Sequence, residues 1–390
     1  MRRLYMLLTA LVAAPLLVHY STPVVNDIST TVQAQQPAPV DNRNAPTVQF
    51  DTVDPLKLPA GMNLGEVLSV AVNSKGTMIV LNHPGTATSG PLYGNATTQL
   101  LEFDATGKYI GEVGKGVYGL GYAHSVRFDK YDNLWVVDKG TNSVVKFNPQ
   151  WRVVMNLGRR PEGYDSWRLQ RPTQAEARPA DANFNGATDV AWDSDDNIYI
   201  GDGYVNSRIA KFDKHGNWIK TWGQNGPGGM HANENPGNIN NPHNLQIDAQ
   251  NNVYVADRGN RRIQVFDTNG NFKRFMFQNA PYDKTRHPVL GNMPANPPDE
   301  SAPWTLCITK GATQYMFSAD SEPGRVYKMT LDGKIVGMLG QSGHEMGQFS
   351  WPHGLACPDE NTVIVADMNN WRVQKITLKP GARPTATSSR

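Results

Sequence analysis

Only two cysteines occur in 390 residues, and neither sits in a C-x-x-C pair. A disulfide-dense mini-scaffold and a cysteine-built redox or zinc site are both excluded. Charge excess is missing as well: 37 Lys and Arg stand against 35 Asp and Glu, a formal net charge of +2, with no basic run. That balance offers nothing to nucleic acid or to an anionic membrane surface. Long apolar stretches are missing too, apart from Leu4 to Val18, which is short for a bilayer span and contains Pro15. Turn chemistry is what the chain has in plenty. Gly 36 and Pro 27, with a hydrophobic share of only 39%, suit many short half-exposed strands joined by polar turns.

The N-terminus reads as a targeting segment. Arg2 and Arg3 precede the apolar stretch, and Val32-Gln33-Ala34 resembles a small-residue cleavage site. Residues 1–34 are therefore expected to be a signal peptide, with the mature protein secreted or periplasmic and without a membrane span. No Cys follows the apolar stretch, which argues against a bacterial lipoprotein. Residues 35–59, rich in Pro, Asn and Thr, read as a linker that also supplies a strand, and residues 380–390 as a disordered tail.

Self-similarity dominates the rest. Six segments share one pattern: VLSVAVNSKGTMIVLN, AHSVRFDKYDNLWVVD, ATDVAWDSDDNIYIGD, PHNLQIDAQNNVYVAD, PWTLCITKGATQYMFSAD and PHGLACPDENTVIVAD. Each gives a strand, a polar Asx- or Gly-containing turn, and a second strand ending in Asp or a substitute. Four continue into a similar third strand, as in GNRRIQVFD. Period-2 alternation rich in Val, Ile and Tyr argues antiparallel meanders, not helices. The segment ends Asn82, Asp138, Asp202, Asp257, Asp320 and Asp367 recur at spacings of 47 to 64 residues, as the blades of a propeller do. The third strands resemble the NHL repeat. The expected architecture is an all-β, six-bladed propeller over residues 60–379. The last blade lacks an outer strand, and the stretch from Val48 to Leu58 is expected to supply it and close the ring.

Within a blade, strands are named a to d from the axis outward. The start of strand a, the end of strand b and the interblade insertions Arg159 to Asn183, Gln224 to Asn240 and Gln278 to Ala302 then lie on one face. His124, His243 and His353 share the first position of strand a, each 14 residues before the Asp that ends strand b. The other blades carry Leu68, Thr188 and Trp304 there. Histidines from blades two, four and six meet at three-fold related points around the channel mouth. Three imidazoles with no evident fourth ligand describe an open metal site of the kind that suits Zn²⁺, and equally copper, iron or nickel. The other six histidines share no such register and are read as structural. Tyr204 and Arg258 follow the strand-b Asp of blades three and four, and so face the same mouth. A phenol beside a dication and a guanidinium is a plausible base.

The stretch from Thr188 to Phe266, carrying TDVAW, SDDNIYIGDGYVNSRIAKF, TWGQ, NPHNLQI and VADRGNRRIQVF, resembles peptidyl-α-hydroxyglycine α-amidating lyase, the lyase domain of peptidylglycine amidation. A looser likeness extends from Val67 to Ile376. The resemblance implies His124, His243 and His353 as zinc ligands, Tyr204 as base and Arg258 as its helper. It implies cleavage of an α-hydroxyglycine C–N bond to glyoxylate and a peptide amide. The departures are specific. Pro84 stands where that family carries a substrate-engaging Arg, and Gly354 where a structural calcium carboxylate would follow the third histidine. Trp351 replaces a Met, and Val205 a disulfide Cys. Structural calcium is accordingly doubtful. Two other readings stay open: a metal-dependent propeller hydrolase of lactones or esters, and a non-enzymatic binding propeller. A small-molecule or peptide substrate and a monomer are expected. Cys307 and Cys357 allow either one disulfide or two buried thiols.

Overall fold

The computed structural model describes residues 38–84, 98–117, 120–158, 183–224, 235–284 and 300–379. Among them the regular elements are strands, apart from two 3-10 turns, Arg258–Asn260 and Met368–Asn370. No helix among the described residues is long and apolar enough to cross a membrane. Residues 1–34, the tail 380–390 and most of the three interblade insertions lie outside the described residues.

Six four-stranded antiparallel sheets follow one another along the chain. Strands a are Glu66–Val72, Ala123–Phe128, Asp189–Trp192, Pro242–Ile247, Thr305–Ile308 and Pro352–Asp359. Strands b are Met78–His83, Leu134–Asp138, Ile198–Asp202, Val253–Asp257, Tyr315–Asp320 and Thr362–Asp367. Strands a neighbour one another in order, and the sixth packs on the first, so the propeller is a closed ring. Blade six takes its outer strand from the start of the chain: Phe50–Val53 pairs antiparallel with Arg372–Leu378, from Phe50↔Leu378 to Val53↔Lys375. The expected closing strand is present, confined to four residues of the Val48 to Leu58 stretch.

The repeat residues explain both hairpin and register. In blade three, Asp193 at the a–b turn accepts N–H bonds from Asp195 (3.0 Å) and Asn197 (2.9 Å), while Asp196 takes the left-handed conformation the turn needs (φ 65°). Its second oxygen accepts the hydroxyl of buried Tyr199 at 2.7 Å. Asp129 with Trp135 and Asp248 with Tyr254 repeat the device. One carboxylate thus closes the hairpin and satisfies the polar tip of a large core aromatic.

A second carboxylate fixes where strand a begins. Asp202, Asp257 and Asp367 accept the backbone N–H of Asn185, Asn240 and Ser350, each seventeen residues earlier, at 2.7 Å. Asn82 takes the N–H of Gly65 and Asp138 that of Gly121 across the same interval. Arg208, Arg262 and Arg372 complete the three repeats with Nε–H donors at 2.9, 2.9 and 3.1 Å. The incoming chain is pinned three residues before the position that carries a histidine in alternate blades. Cys307 and Cys357, on strands a of blades five and six, form a disulfide with a Cα–Cα distance of 6.1 Å, deciding the choice the sequence leaves open.

Candidate metal centre

The three expected histidines meet on the axis, and all three are buried. Their ligand nitrogens lie within 4.8 Å of one another, the single cluster of this kind among the described residues. His124 donates Nδ1–H to the carbonyl of Thr188 at 2.7 Å, His243 to that of Trp304 at 2.7 Å, and His353 to that of Leu68 at 2.8 Å. The acceptors are the residues at the same register of the next blade. The alternation around the ring therefore shows on both sides of each contact: one blade supplies an imidazole, and the next supplies the carbonyl that orients it.

A carbonyl only accepts, so Nδ1 is protonated in all three rings and Nε2 is left with its lone pair. The Nε2 atoms of His124 and His243 face each other at 3.1 Å. Two lone pairs at that distance repel. Among the described residues the hydroxyl of Tyr204 is the one bonded to them, 3.0 Å from Nε2 of His124 and 3.3 Å from that of His243, and it has one proton to give. Three converging acceptors and one donor form an incomplete polar cluster that a cation completes. The residues fit a divalent transition metal with an open coordination position.

Electrostatics agree. Burial first, then the neighbouring imidazole and the Lys139 ammonium, holds His124 well below the ordinary imidazole range. Burial, then His124 and Arg258, does the same for His243. Burial lowers His353 to about 3, the Leu68 carbonyl opposing and Lys139 and Arg258 adding to it. All three rings are thus neutral ligands at physiological pH.

Tyr204 is half-buried and set by its neighbours. Its N–H donates to the carbonyl of Gly186 at 3.1 Å. Gly186 has φ 78°, and a Cβ there would stand 2.6 Å from Cβ of Tyr204, so only glycine fits behind the phenol. The Arg258 guanidinium lies 4.1 Å from the Trp304 ring centroid and 6.0 Å from that of Tyr204. All five expected residues therefore converge. Gly354 packs against the first blade, where a Cβ would stand 2.6 Å from Cα of Ser69 and 2.7 Å from the Leu68 carbonyl oxygen. No carboxylate can be carried there, which removes the ligand a calcium ion would need. The nearby Asp189 is already held by Arg127 at 2.7 Å and by the N–H of Leu245 at 3.0 Å.

Lys139 is the site residue that sequence reasoning missed. Its ammonium sits 4.5 Å from the ring centroids of both Tyr122 and Tyr204. The signal was available, because Lys139 follows Asp138 as Arg258 follows Asp257. His83 occupies that same position in blade one, buried against Tyr122 with ring centroids 4.2 Å apart and donating Nε2–H to Ala123 O at 2.9 Å.

A family model described as the NHL repeat matches residues 240–266, which include His243, Asp257 and Arg258. The Drosophila melanogaster protein named peptidyl-alpha-hydroxyglycine alpha-amidating lyase 1 is 26% identical over 345 residues, covering 84% of this chain and 60% of its own length. The Mus musculus peptidyl-glycine alpha-amidating monooxygenase is 26% identical over 333 residues, covering 80% of this chain and 30% of its own. The chain thus spans less than two thirds of either relative. Among solved structures, an auxiliary nutrient binding protein from Bacteroides ovatus superposes with a TM-score of 0.54 at 13% identity, over 85% of this chain and 78% of that one, a likeness of fold alone. The chain is a six-bladed β-propeller that matches the NHL repeat over residues 240–266 and resembles the amidating lyases.

Proposed function

We propose that the protein is an exported, metal-dependent lyase that cleaves the C–N bond of a carbinolamide of the peptidyl-α-hydroxyglycine type, releasing an amide and glyoxylate. One observation carries the reading: a phenol, Tyr204, stands 3.0 Å and 3.3 Å from the free nitrogens of two histidines in a three-imidazole cluster. Zinc or a similar divalent metal held by Nε2 of His124, His243 and His353 supplies Lewis-acid polarisation of a substrate oxygen. Tyr204 is placed to take the carbinol hydroxyl proton. The oxygen's electron pair then forms the aldehyde carbonyl, the C–N bond breaks with its pair going to nitrogen, and a proton delivered to that nitrogen completes the amide. Arg258, reaching over Trp304 toward Tyr204, supports negative charge beside the phenol. The Cys307–Cys357 disulfide supports export, since such bonds persist in oxidising compartments.

Glyoxylate release from N-benzoyl-α-hydroxyglycine by the zinc-loaded protein, with metal content measured on the same sample, tests the proposal. Stoichiometric metal and catalytic glyoxylate release are expected. Acid production from lactones without glyoxylate would move the site to the hydrolase reading. Absence of a bound transition metal would leave a binding propeller.

A further inference from the structure

We propose that the open side of the histidine cluster is an anion-binding mouth in which Lys139 selects substrates bearing a carboxylate beside the reacting carbon; this rests on the lyase reading for its substrate, not for its chemistry of binding. The argument begins with charge. The three ligands are neutral imidazoles, so a divalent metal brings two positive charges that no ligand offsets. Lys139 and Arg258 add two more. They stand on opposite flanks of Tyr204, the ammonium 4.5 Å and the guanidinium 6.0 Å from its ring centroid. A mouth of that composition favours an anion over a neutral ligand of equal shape.

Placement makes Lys139 the selective element. It is half-buried at the end of strand b in blade two, and it stands between two phenol rings that restrict its long side chain. Such a cation has already lost much of its conformational freedom before any ligand arrives. A second observation concerns the indoles packed beside Arg258. The indole nitrogens of Trp304, beneath Arg258, and of Trp351, against Trp304 with ring centroids 5.2 Å apart, are buried donors without a hydrogen-bond partner. Buried donors without partners are uncommon in folded proteins, and a ligand that only accepts would satisfy whichever of them it reaches. A carboxylate has that property, while a primary amide brings donors of its own. Pro84 and Gly140, the next residues along in blades one and two, carry no charge, so Lys139 is the cation that follows strand b on that side.

Calorimetric binding of two unreactive probes to the zinc-loaded protein tests this without turnover: hippurate, which has the carboxylate, and N-benzoylglycinamide, which does not. Hippurate is expected to bind at least ten-fold more tightly to the unmutated protein. Lys139→Met should cut that preference several-fold, the metal and Arg258 keeping the remainder, while leaving the amide's affinity unchanged, and Lys139→Arg should restore most of it. Equal binding of both probes to the unmutated protein overturns the proposal with no variant needed. A Lys139→Met protein that loses both probes equally also overturns it, because Lys139 would then only prop Tyr204. A hippurate preference in a protein that releases no glyoxylate supports the anion mouth while defeating the lyase reading.

Discussion

The phenol oxygen of Tyr204 lies 3.0 Å from Nε2 of His124, although the two residues are 80 apart in sequence and belong to different blades. The contact puts a proton acceptor beside the metal face without making it one of the three imidazoles. Tyr204→Phe removes the hydroxyl and keeps the ring. Glyoxylate release should fall about 10²- to 10⁴-fold, the range that a positioned acid–base group contributes. Metal content by elemental analysis should stay near that of the unmutated protein. Full activity in the variant would end the role of Tyr204 as base.

Gly186 holds that phenol in place from behind, with φ 78° and room for no Cβ. Gly186→Ala therefore strains the backbone and pushes Tyr204 off the axis by several tenths of an ångström. Activity should fall by at least ten-fold, with metal binding retained because no histidine is displaced. The pair of measurements separates a displaced base from a broken metal site. Loss of metal in this variant would show that the two are mechanically coupled.

Three nitrogen lone pairs facing one another make the cluster unfavourable when empty. Chelation should lower the thermal midpoint, and added Zn²⁺ should raise it again. At a thousand-fold excess over the dissociation constant the stabilisation is about 4 kcal/mol. His243→Ala should abolish the response, since it removes one nitrogen and frees the Trp304 carbonyl that oriented it. A zinc response that persists in this variant would place the metal elsewhere.

What could be read in advance follows from what repeats. The interval of 14 residues between each histidine and the Asp ending strand b is a strand-pairing distance, so it carried fold and site together. The seventeen-residue bonds from the same Asp residues are the physical cause of that constancy. The carbonyls of Leu68, Thr188 and Trp304 were not legible as partners, because a backbone acceptor leaves no mark on side-chain identity. Lys139 is harder to single out because five other residue types fill its position around the ring, and the pattern of Lys139 and Arg258 after the strand-b Asp gains meaning only beside Tyr204. Whether the two cysteines bond or stay as thiols was undecided because blade order makes blades five and six neighbours without fixing the separation of Cys307 and Cys357 across them.

The disulfide yields its own expectation. Cys307 and Cys357 are 50 residues apart and tie strand a of blade five to that of blade six. Closing a loop of that size in the unfolded chain is worth about 4 kcal/mol by the chain-entropy model. The double variant Cys307→Ser/Cys357→Ser should lose about 2–4 kcal/mol in urea unfolding and keep its metal, because neither cysteine belongs to the three-histidine cluster. Titration of the unmutated protein with a thiol reagent under denaturing conditions should find no free thiol. Two free thiols there would refute the bond.

His83 supplies a pH dependence that the metal site does not confound. Its Nε2–H is committed to Ala123 O, and Nδ1 is buried without a hydrogen-bond partner. Burial, then the Lys139 charge, lowers it to about 3. Lys139, Tyr122 and His353 lie around it and Glu66 stands opposite on the paired strand; the hydrogen bond to the Ala123 carbonyl opposes the lowering without outweighing burial. An unfolded chain protonates this residue near pH 6.5. The neutral, buried ring therefore contributes its full stability above pH 6.5. That contribution falls by about 1.4 kcal/mol per pH unit as the pH drops toward 3, since only the unfolded state takes up the proton. His83→Gln should flatten the fall in urea stability between pH 6 and pH 4 by about one proton relative to the unmutated protein. The metal ligands are present in both proteins, so the difference reports chiefly on His83. Parallel slopes would mean that the folded protein also accepts a proton at His83, and that the ring is wetter than its burial implies.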